Sequence, residues 1–310
     1  MTYNGFIILD KPLGLSSRGA LDRVRRLTQT RQAGYAGTLD PLATGVLVCA
    51  LGPSTRLLSY LEHDDKRYRA TVELGRETDT GDAEGRDVAR GDWNAISREA
   101  VEAALPAFSG AIRQRPPAFS AISIGGQRLY TLARKGEAVE PPEREVTVHS
   151  LSLLEWEPPR LILDIHCSKG TYVRALARDI GRALGCRAYL AGLRRTASGA
   201  FTMRQAVTLD ELSAAIEGRL QALLLPPVTA VAGFARTILS LSELVDIIHG
   251  RRIPQGTAPD GKLAMFSRDG GLVAIGQAAA GVIQPEKVLS RGPAAPLPLA
   301  SCMPPDPLCQ

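Results

Sequence analysis

Between Arg31 and Arg56 the chain carries one charged side chain, Asp40, and the run that follows it, Val46-Leu47-Val48-Cys49-Ala50-Leu51, is apolar at every position. A strand with one wet face alternates; a strand that is apolar throughout is covered on both faces, so this run belongs in the core. Around it, strand and helix periods are interleaved. Gly5 to Asp10 reads as a short buried strand, and Ser16-Ser17 offers an N-cap to a helix with Ala20, Leu21, Val24 and Leu27 on one face. Arg67 to Leu74 alternates, with Tyr68, Ala70, Val72 and Leu74 on one parity, as a half-buried strand does. Leu161 to Cys167 is a further strand. Gly170-Thr171 then leads into a helix whose apolar positions Val173, Leu176, Ala177, Ile180 and Leu184 keep helical spacing, with Gly185 as its C-terminal cap.

A chain of 310 residues is long enough for one substantial core and a smaller second domain. Thr208-Leu209-Asp210-Glu211 fits a capping box, and Pro226-Pro227 interrupts the chain before a region of different character. This predicts a boundary near Gly233, with one domain over 1–232 and a second over 233–290. In the second, Ser240 to His249 reads as a short helix, and the apolar runs Lys262 to Phe266 and Leu272 to Gly276 flank the turn Asp269-Gly270-Gly271, the pattern of a small β-rich unit. Residues 291–310 are so rich in proline that a disordered tail is expected.

Several function classes lose ground on composition. The run Phe6-Ile7-Ile8-Leu9 is too short for a signal sequence, and no apolar stretch approaches spanning length, so no membrane partner is expected. The five cysteines form no C-x-x-C pair and their odd number does not suggest a disulfide framework, which fits a cytoplasmic protein. Of the four histidines none stands in H-x-x-x-H spacing, so metal-free chemistry is expected. A net charge of +5 would attract phosphate backbones without proving that it does.

Asp40 is the residue that asks for an explanation. An ionised carboxylate among apolar neighbours is costly unless it is paired or hydrogen-bonded. It sits in Gly34-Tyr35-Ala36-Gly37-Thr38-Leu39-Asp40-Pro41-Leu42-Ala43-Thr44-Gly45, where glycines permit close approach and Pro41 biases Asp40 toward extended backbone. Taken alone, a structural aspartate in a tight turn is the commoner case and a catalytic carboxylate the sharper one. Arg174, in the first turn of its predicted helix, opposes the helix dipole and calls for an anion, which makes it the natural counter-ion. Arg178 and Arg182 continue a basic stripe that reads equally as a solvated face or as a phosphate contact. Tyr68, on the apolar parity of its strand, is by default a core tyrosine.

Several blocks, in order, resemble the TruB family of tRNA pseudouridine synthases. They are Gly5-Phe-Ile-Ile-Leu-Asp-Lys11-Pro12, Gly37-Thr-Leu-Asp40-Pro-Leu-Ala-Thr-Gly45, Lys66-Arg67-Tyr68 and Asp79-Thr-Gly-Asp-Ala-Glu-Gly85. Further along stand Arg115-Pro-Pro-Ala-Phe-Ser-Ala121, Gly126-Gln-Arg-Leu-Tyr130, Cys167-Ser-Lys-Gly-Thr-Tyr172-Val-Arg174 and Leu193-Arg194-Arg195. The resemblance covers about residues 5 to 205, and 235 to 290 resembles the small RNA-binding PUA-type domain that often follows.

It implies an α+β fold, with a mixed-sheet catalytic domain followed by a small β-barrel domain. It also implies an enzyme of the bacterial branch that acts on free tRNA, without guide RNA or an obligate protein partner, as a monomer, converting uridine 55 of the T stem-loop to pseudouridine without cofactor or metal. By the same resemblance Asp40 is the catalytic carboxylate and Arg174 its partner. Tyr68 stacks on the target base and is implicated in removing its C5 proton. Tyr172 and Leu193 line the uridine pocket, Tyr35 is a candidate substrate contact, and Lys11 and Pro12 support the active-site loop. A base in a stack must be flipped out before its glycosidic bond can be reached, which such a pocket would serve. The arginine-rich segment within 109–150 suits a clamp over the T arm. The loop around Asp40 departs from the family pattern, with Tyr35 where histidine is usual and Gln32 where a basic residue is usual. A non-catalytic RNA-binding protein that assists tRNA folding is the alternative of a different class.

Overall fold

A computed structural model describes residues 3–117, 119, 123–124, 127–128, 141–215 and 220–289. It divides into two compact units between Leu225 and Pro226, whereas the sequence points to Gly233. Much of the middle of the expected 109–150 clamp, and the proline-rich tail, lie outside the described residues.

The first unit is built on one large sheet. Its early strands are β1 (Gly5–Lys11), β2 (Ala33–Ala36), β3 (Ala43–Leu51) and β4 (Lys66–Leu74). A hairpin of β5 (Arg76–Thr78) and β6 (Asp87–Arg90) follows, then β7 (Gly110–Gln114) and a two-residue pair, β8 (Ser123–Ile124) with β9 (Gln127–Arg128). The later strands are β10 (Arg144–Glu157), β11 (Arg160–Cys167), β12 (Ala188–Ser198), β13 (Phe201–Thr202) and β14 (Ala206–Val207). The main sheet runs β14-β1-β3-β12-β4-β11-β10-β7, with β2 added beside β3 and β13 beside β12. It is mixed: β1 with β14 and β3 with β12 are parallel, and the other pairs are antiparallel. The apolar run Val46 to Leu51 is wholly buried in β3, paired with β1 along one side and, from Val48 to Leu51, with β2 along the other.

Local chemistry sets the helices that frame the site. Ser16 caps the helix Ser17–Leu27 by accepting the Gly19 N–H, and Ala20, Leu21 and Val24 are its buried stripe. The helix Val173–Ala183 buries Val173, Leu176, Ala177 and Ile180, and ends at Gly185, whose φ of 73° and N–H to the Arg182 carbonyl close the last turn. Gly45 is required for a different reason. Its φ is 96°, and a Cβ there would stand 2.2 Å from the carbonyl oxygen of Arg195, its register partner across β3 and β12.

The second unit is a curled five-stranded sheet in the order Ala235–Ile238, Gly261–Phe266, Leu272–Ala279, Val282–Val288, Ile253–Pro254. The helix Leu241–Ile248 packs on it through Ile247 and Leu244. Among the described residues, no helix is long and apolar enough to cross a membrane.

Candidate active site

Asp40 sits in the turn between β2 and β3, and that turn is held from beneath. The Ser17 hydroxyl, itself buried, donates to the Leu39 carbonyl at 2.9 Å and accepts the Leu39 N–H at 2.7 Å. The ammonium of fully buried Lys11 donates to the carbonyls of Leu15 at 2.5 Å, Pro12 at 3.0 Å and Pro41 at 3.4 Å. These bonds tie the start of the first helix and the end of β1 to the residues on both sides of Asp40. Burial is the main cause that lowers the Lys11 amine to about 8; Asp40 pulls it back up and Arg195 pushes it further down.

Arg174 meets Asp40 as expected, Nη2 to Oδ2 at 3.0 Å, with the arginine side chain 6% exposed and the aspartate 43%. It also contacts Asp82 Oδ2 at 3.4 Å, and donates to the carbonyls of Thr80 at 3.0 Å and Phe119 at 2.9 Å. Asp82 is buried and fixed in turn, its Oδ1 accepting from the Thr80 hydroxyl at 2.6 Å and from the Glu84 N–H at 3.1 Å. One planar guanidinium therefore spans two carboxylates, a buried one that anchors it and an open one that it orients.

Together these groups bound a cleft of about 400 Å³ whose wall includes Asp40, Tyr68, Tyr172, Arg174, Leu193 and Arg195. Tyr68 and Leu193 reach it from the adjacent strands β4 and β12. Tyr172 is the N-cap of the helix that carries Arg174, and the buried Gln114 side chain clamps it by accepting its N–H at 2.7 Å and donating to its carbonyl at 3.0 Å. The Arg144 guanidinium lies 4.6 Å from the Tyr172 ring centroid. Tyr35 is not brought to this cleft: it is half-buried on β2, opposite Cys49, and packs on the core.

Burial pushes the Tyr68 hydroxyl above its ordinary value, and the positive charge of the neighbouring Arg195 guanidinium opposes that rise. Asp82 and Arg195 are the two groups that geometry adds to the set read from sequence. The signals were present but unassigned: Asp82 stands in the Asp79 to Gly85 block, and Arg195 shares the strand parity of Leu193.

A second cluster lies apart from the cleft wall. Asp65, His149 and His166 bring their ligand-type atoms within 4.8 Å of one another, with His149 Nε2 3.1 Å from Asp65 Oδ2. His149 is the extra residue of a β-bulge between β10 and β11, where Val148 faces Cys167 and Ser150 faces His166. Spacing along the chain could not reveal this pair.

Residues 25–173 match the TruB family pseudouridylate synthase N-terminal domain, and residues 174–232 match the tRNA pseudouridylate synthase B C-terminal domain. The chain belongs to the TruB family. It is 40% identical over 290 residues to the tRNA pseudouridine synthase B of Xanthomonas campestris pv. campestris strain B100, covering 93% of this chain and 94% of that one. The enzyme of the same name from Pseudomonas putida strain F1 is 43% identical over 292 residues, covering 92% and 95%. A solved Cbf5-Nop10-Gar1 complex has the same fold, with a TM-score of 0.72 at 27% identity over 93% of this chain and 85% of that one. TruB-family proteins are pseudouridine synthases, and their chemistry is that of an isomerase. The fold expected from the resemblance is the one found, with the C-terminal sheet of the PUA-like unit curled into a half-barrel.

Proposed function

We propose that this TruB-family chain isomerises uridine 55 in the T loop of tRNA to pseudouridine, with Asp40 as the catalytic carboxylate and the flipped base received between Tyr68, Tyr172 and Leu193. The observation that carries the reading is the Asp40–Arg174 ion pair at 3.0 Å, in the wall of a cleft shared with two tyrosines and a leucine. Such a pair holds a carboxylate in one orientation, while the aromatic walls supply stacking for a base taken out of its loop.

The reaction breaks the bond between ribose C1′ and N1 and forms one between C1′ and C5; a proton leaves C5 and N1 gains one. Atoms and electrons balance without an oxidant or a second substrate. Asp40 starts the cleavage, Arg174 holds its orientation, and Tyr68 stacks on the base near the C5 that loses its proton. Phosphate contacts and stacking dominate the affinity, so chemistry and binding should separate. Asp40→Asn should lower single-turnover pseudouridine formation on an unmodified T-arm RNA on the order of 10³-fold or more, with RNA affinity changed by less than about threefold. Near-normal turnover by the variant would overturn the mechanism. A wild-type chain that binds T-arm RNA and makes no pseudouridine would overturn the function.

A further inference from the structure

The cleft rests on an unusual floor. Lys11, Lys66 and Arg195 are all buried, and their hydrogen bonds run to main-chain carbonyls. Lys66 donates to the carbonyls of Glu62, at 3.3 Å, and Asp64. Arg195 donates from Nε to the Val46 carbonyl at 2.7 Å and from Nη2 to the Gly37 carbonyl at 2.9 Å. No carboxylate appears among these contacts. A buried guanidinium without a counter-ion is costly and calls for a compensating role. Burial and the nearness of the other cations work in one direction, since Lys11 and Lys66 are each pushed further down by Arg195.

Arg195 touches both halves of the site. Gly37, whose carbonyl it holds, opens the turn that ends at Asp40, and at φ 69° it packs directly against the guanidinium. On β4, Tyr68 is the register partner of Arg195, and both side chains line the cleft, which brings the phenol beside the guanidinium. A guanidinium only donates, so toward it the Tyr68 hydroxyl can present only its oxygen, which leaves the proton for another partner.

We propose that Arg195 is a positioning residue for the isomerisation: it fixes the Asp40 turn through Gly37 and stabilises the Tyr68 oxygen while that oxygen exchanges protons with the base. The inference rests on the functional reading above. The Tyr68 hydroxyl lends its proton to the nitrogen freed when the C1′–N1 bond breaks, and the C5 proton replaces it, so the enzyme ends unchanged. Between those steps the oxygen is a phenolate in a buried site, and the fixed positive charge of Arg195 offsets the loss of water around it.

A double-mutant cycle on the full chain tests the link to Tyr68, using single-turnover rates on unmodified T-arm RNA. Arg195→Met should slow the chemical step on the order of 100-fold and leave RNA affinity within about threefold, and Arg195→Lys should recover part of the rate. In a Tyr68→Phe background, which keeps the ring and removes the hydroxyl, Arg195→Met should cost less than about threefold more. Losses that multiply in the double variant, or a fall in affinity that tracks the fall in rate, would overturn the proposal. If Arg195→Met fails to fold by circular dichroism, Arg195→Lys carries the same cycle. A second readout needs no turnover. In ¹³C-tyrosine-labelled protein, the Tyr68 ring resonance, assigned by its loss in Tyr68→Phe, should titrate at higher pH in the Arg195 variant than in the wild type. An unchanged midpoint refutes the inference even if the wild type makes no pseudouridine, whereas wild-type inactivity alone refutes only the functional reading.

Discussion

The two compact units treat charge in opposite ways. Among the described residues the first unit buries six charged side chains, Lys11, Lys66, Glu77, Asp82, Arg174 and Arg195, whereas the second buries one polar side chain, Ser267, in an otherwise apolar core. Buried charges are stabilising only when their partners are in place, and a pair is often no better than apolar residues of the same volume. A unit that needed only to fold would have little use for six. Five of them surround the cleft: Arg174 joins Asp40 to Asp82, and Lys11, Lys66 and Arg195 lie under the Asp40 turn and Tyr68. The sixth, Glu77, takes Arg182 at 2.5 Å and Arg187 at 3.6 Å, and so anchors the far end of the Arg174 helix. In the second unit the apolar core does only the work of packing.

The largest expected effect separates these roles within one residue. Arg174→Ala leaves Asp82 buried and Asp40 without its partner, so it should cost both turnover and stability. The stability loss should be about 3–5 kcal/mol in urea unfolding, the range for breaking a buried pair from one side. Arg174→Lys should keep more of the stability and still lower turnover on the order of 100-fold, because an ammonium cannot span two carboxylates as a planar fork does. Combined with Asp40→Asn, the arginine change should add little further loss of rate. Turnover within about threefold of wild type for Arg174→Ala, roughly 0.6 kcal/mol of barrier, would place Arg174 on the phosphate-binding face and weaken the contrast between the units.

How far the sequence could carry this contrast depends on the range of the interactions. The wholly apolar run became β3, the alternating run became β4, and Arg174 lies in the first turn of its helix beside the anion it needed. These are local patterns, or a single charge imbalance with one obvious partner. Asp82 and Arg195 were harder, since their roles depend on which strand lies beside which: Arg195 faces Tyr68 only because β12 enters between β3 and β4. The His149–His166 pair depends on a bulge that no periodicity marks. Tyr35 shows the reverse limit, because resemblance pointed to a role at the substrate while its pairing with Cys49 puts it on β2 away from the cleft wall. The two compact units divide at Pro226, since Leu225 still bridges to Phe6 of β1, while the family match runs on to residue 232, next to the expected boundary near Gly233.

A smaller effect, read through pH, sharpens the account of the buried cations. The Lys11 amine is lowered from its ordinary 10.5 to about 8. Between those values the unfolded chain holds a proton that the native chain has released. Native stability from this group therefore rises as pH climbs from about 8 toward 10.5, and the full cost of burying the charge is felt below 8. Turnover should move the other way, falling above pH 8 as the neutral amine grips fewer of the three carbonyls that hold the Asp40 turn. Lys11→Met should reduce the rise in unfolding free energy across that window, leaving the share that buried Lys66 contributes, and lower turnover at every pH. If the variant keeps the wild-type slope of stability against pH, another group supplies it.

The smallest expected effect belongs to the second unit, and it tests whether that unit takes part in chemistry at all. Ser240 opens the helix Leu241–Ile248 with a reciprocal capping box: its side chain accepts the Glu243 N–H at 3.3 Å, and Glu243 accepts the Ser240 N–H at 2.8 Å. Ser240→Ala removes one half of that exchange and should destabilise the unit by about 1 kcal/mol. The helix packs on the curled sheet through Leu244 and Ile247, so the loss should appear as faster amide exchange in that helix and its neighbouring strands. Pseudouridine formation at saturating T-arm RNA should stay at the wild-type rate, because none of the six buried charges lies in this unit. A slower chemical step in Ser240→Ala, with amide exchange in the first unit unchanged, would mean that the second unit acts on the reacting centre itself, and the division of labour argued from burial would fail.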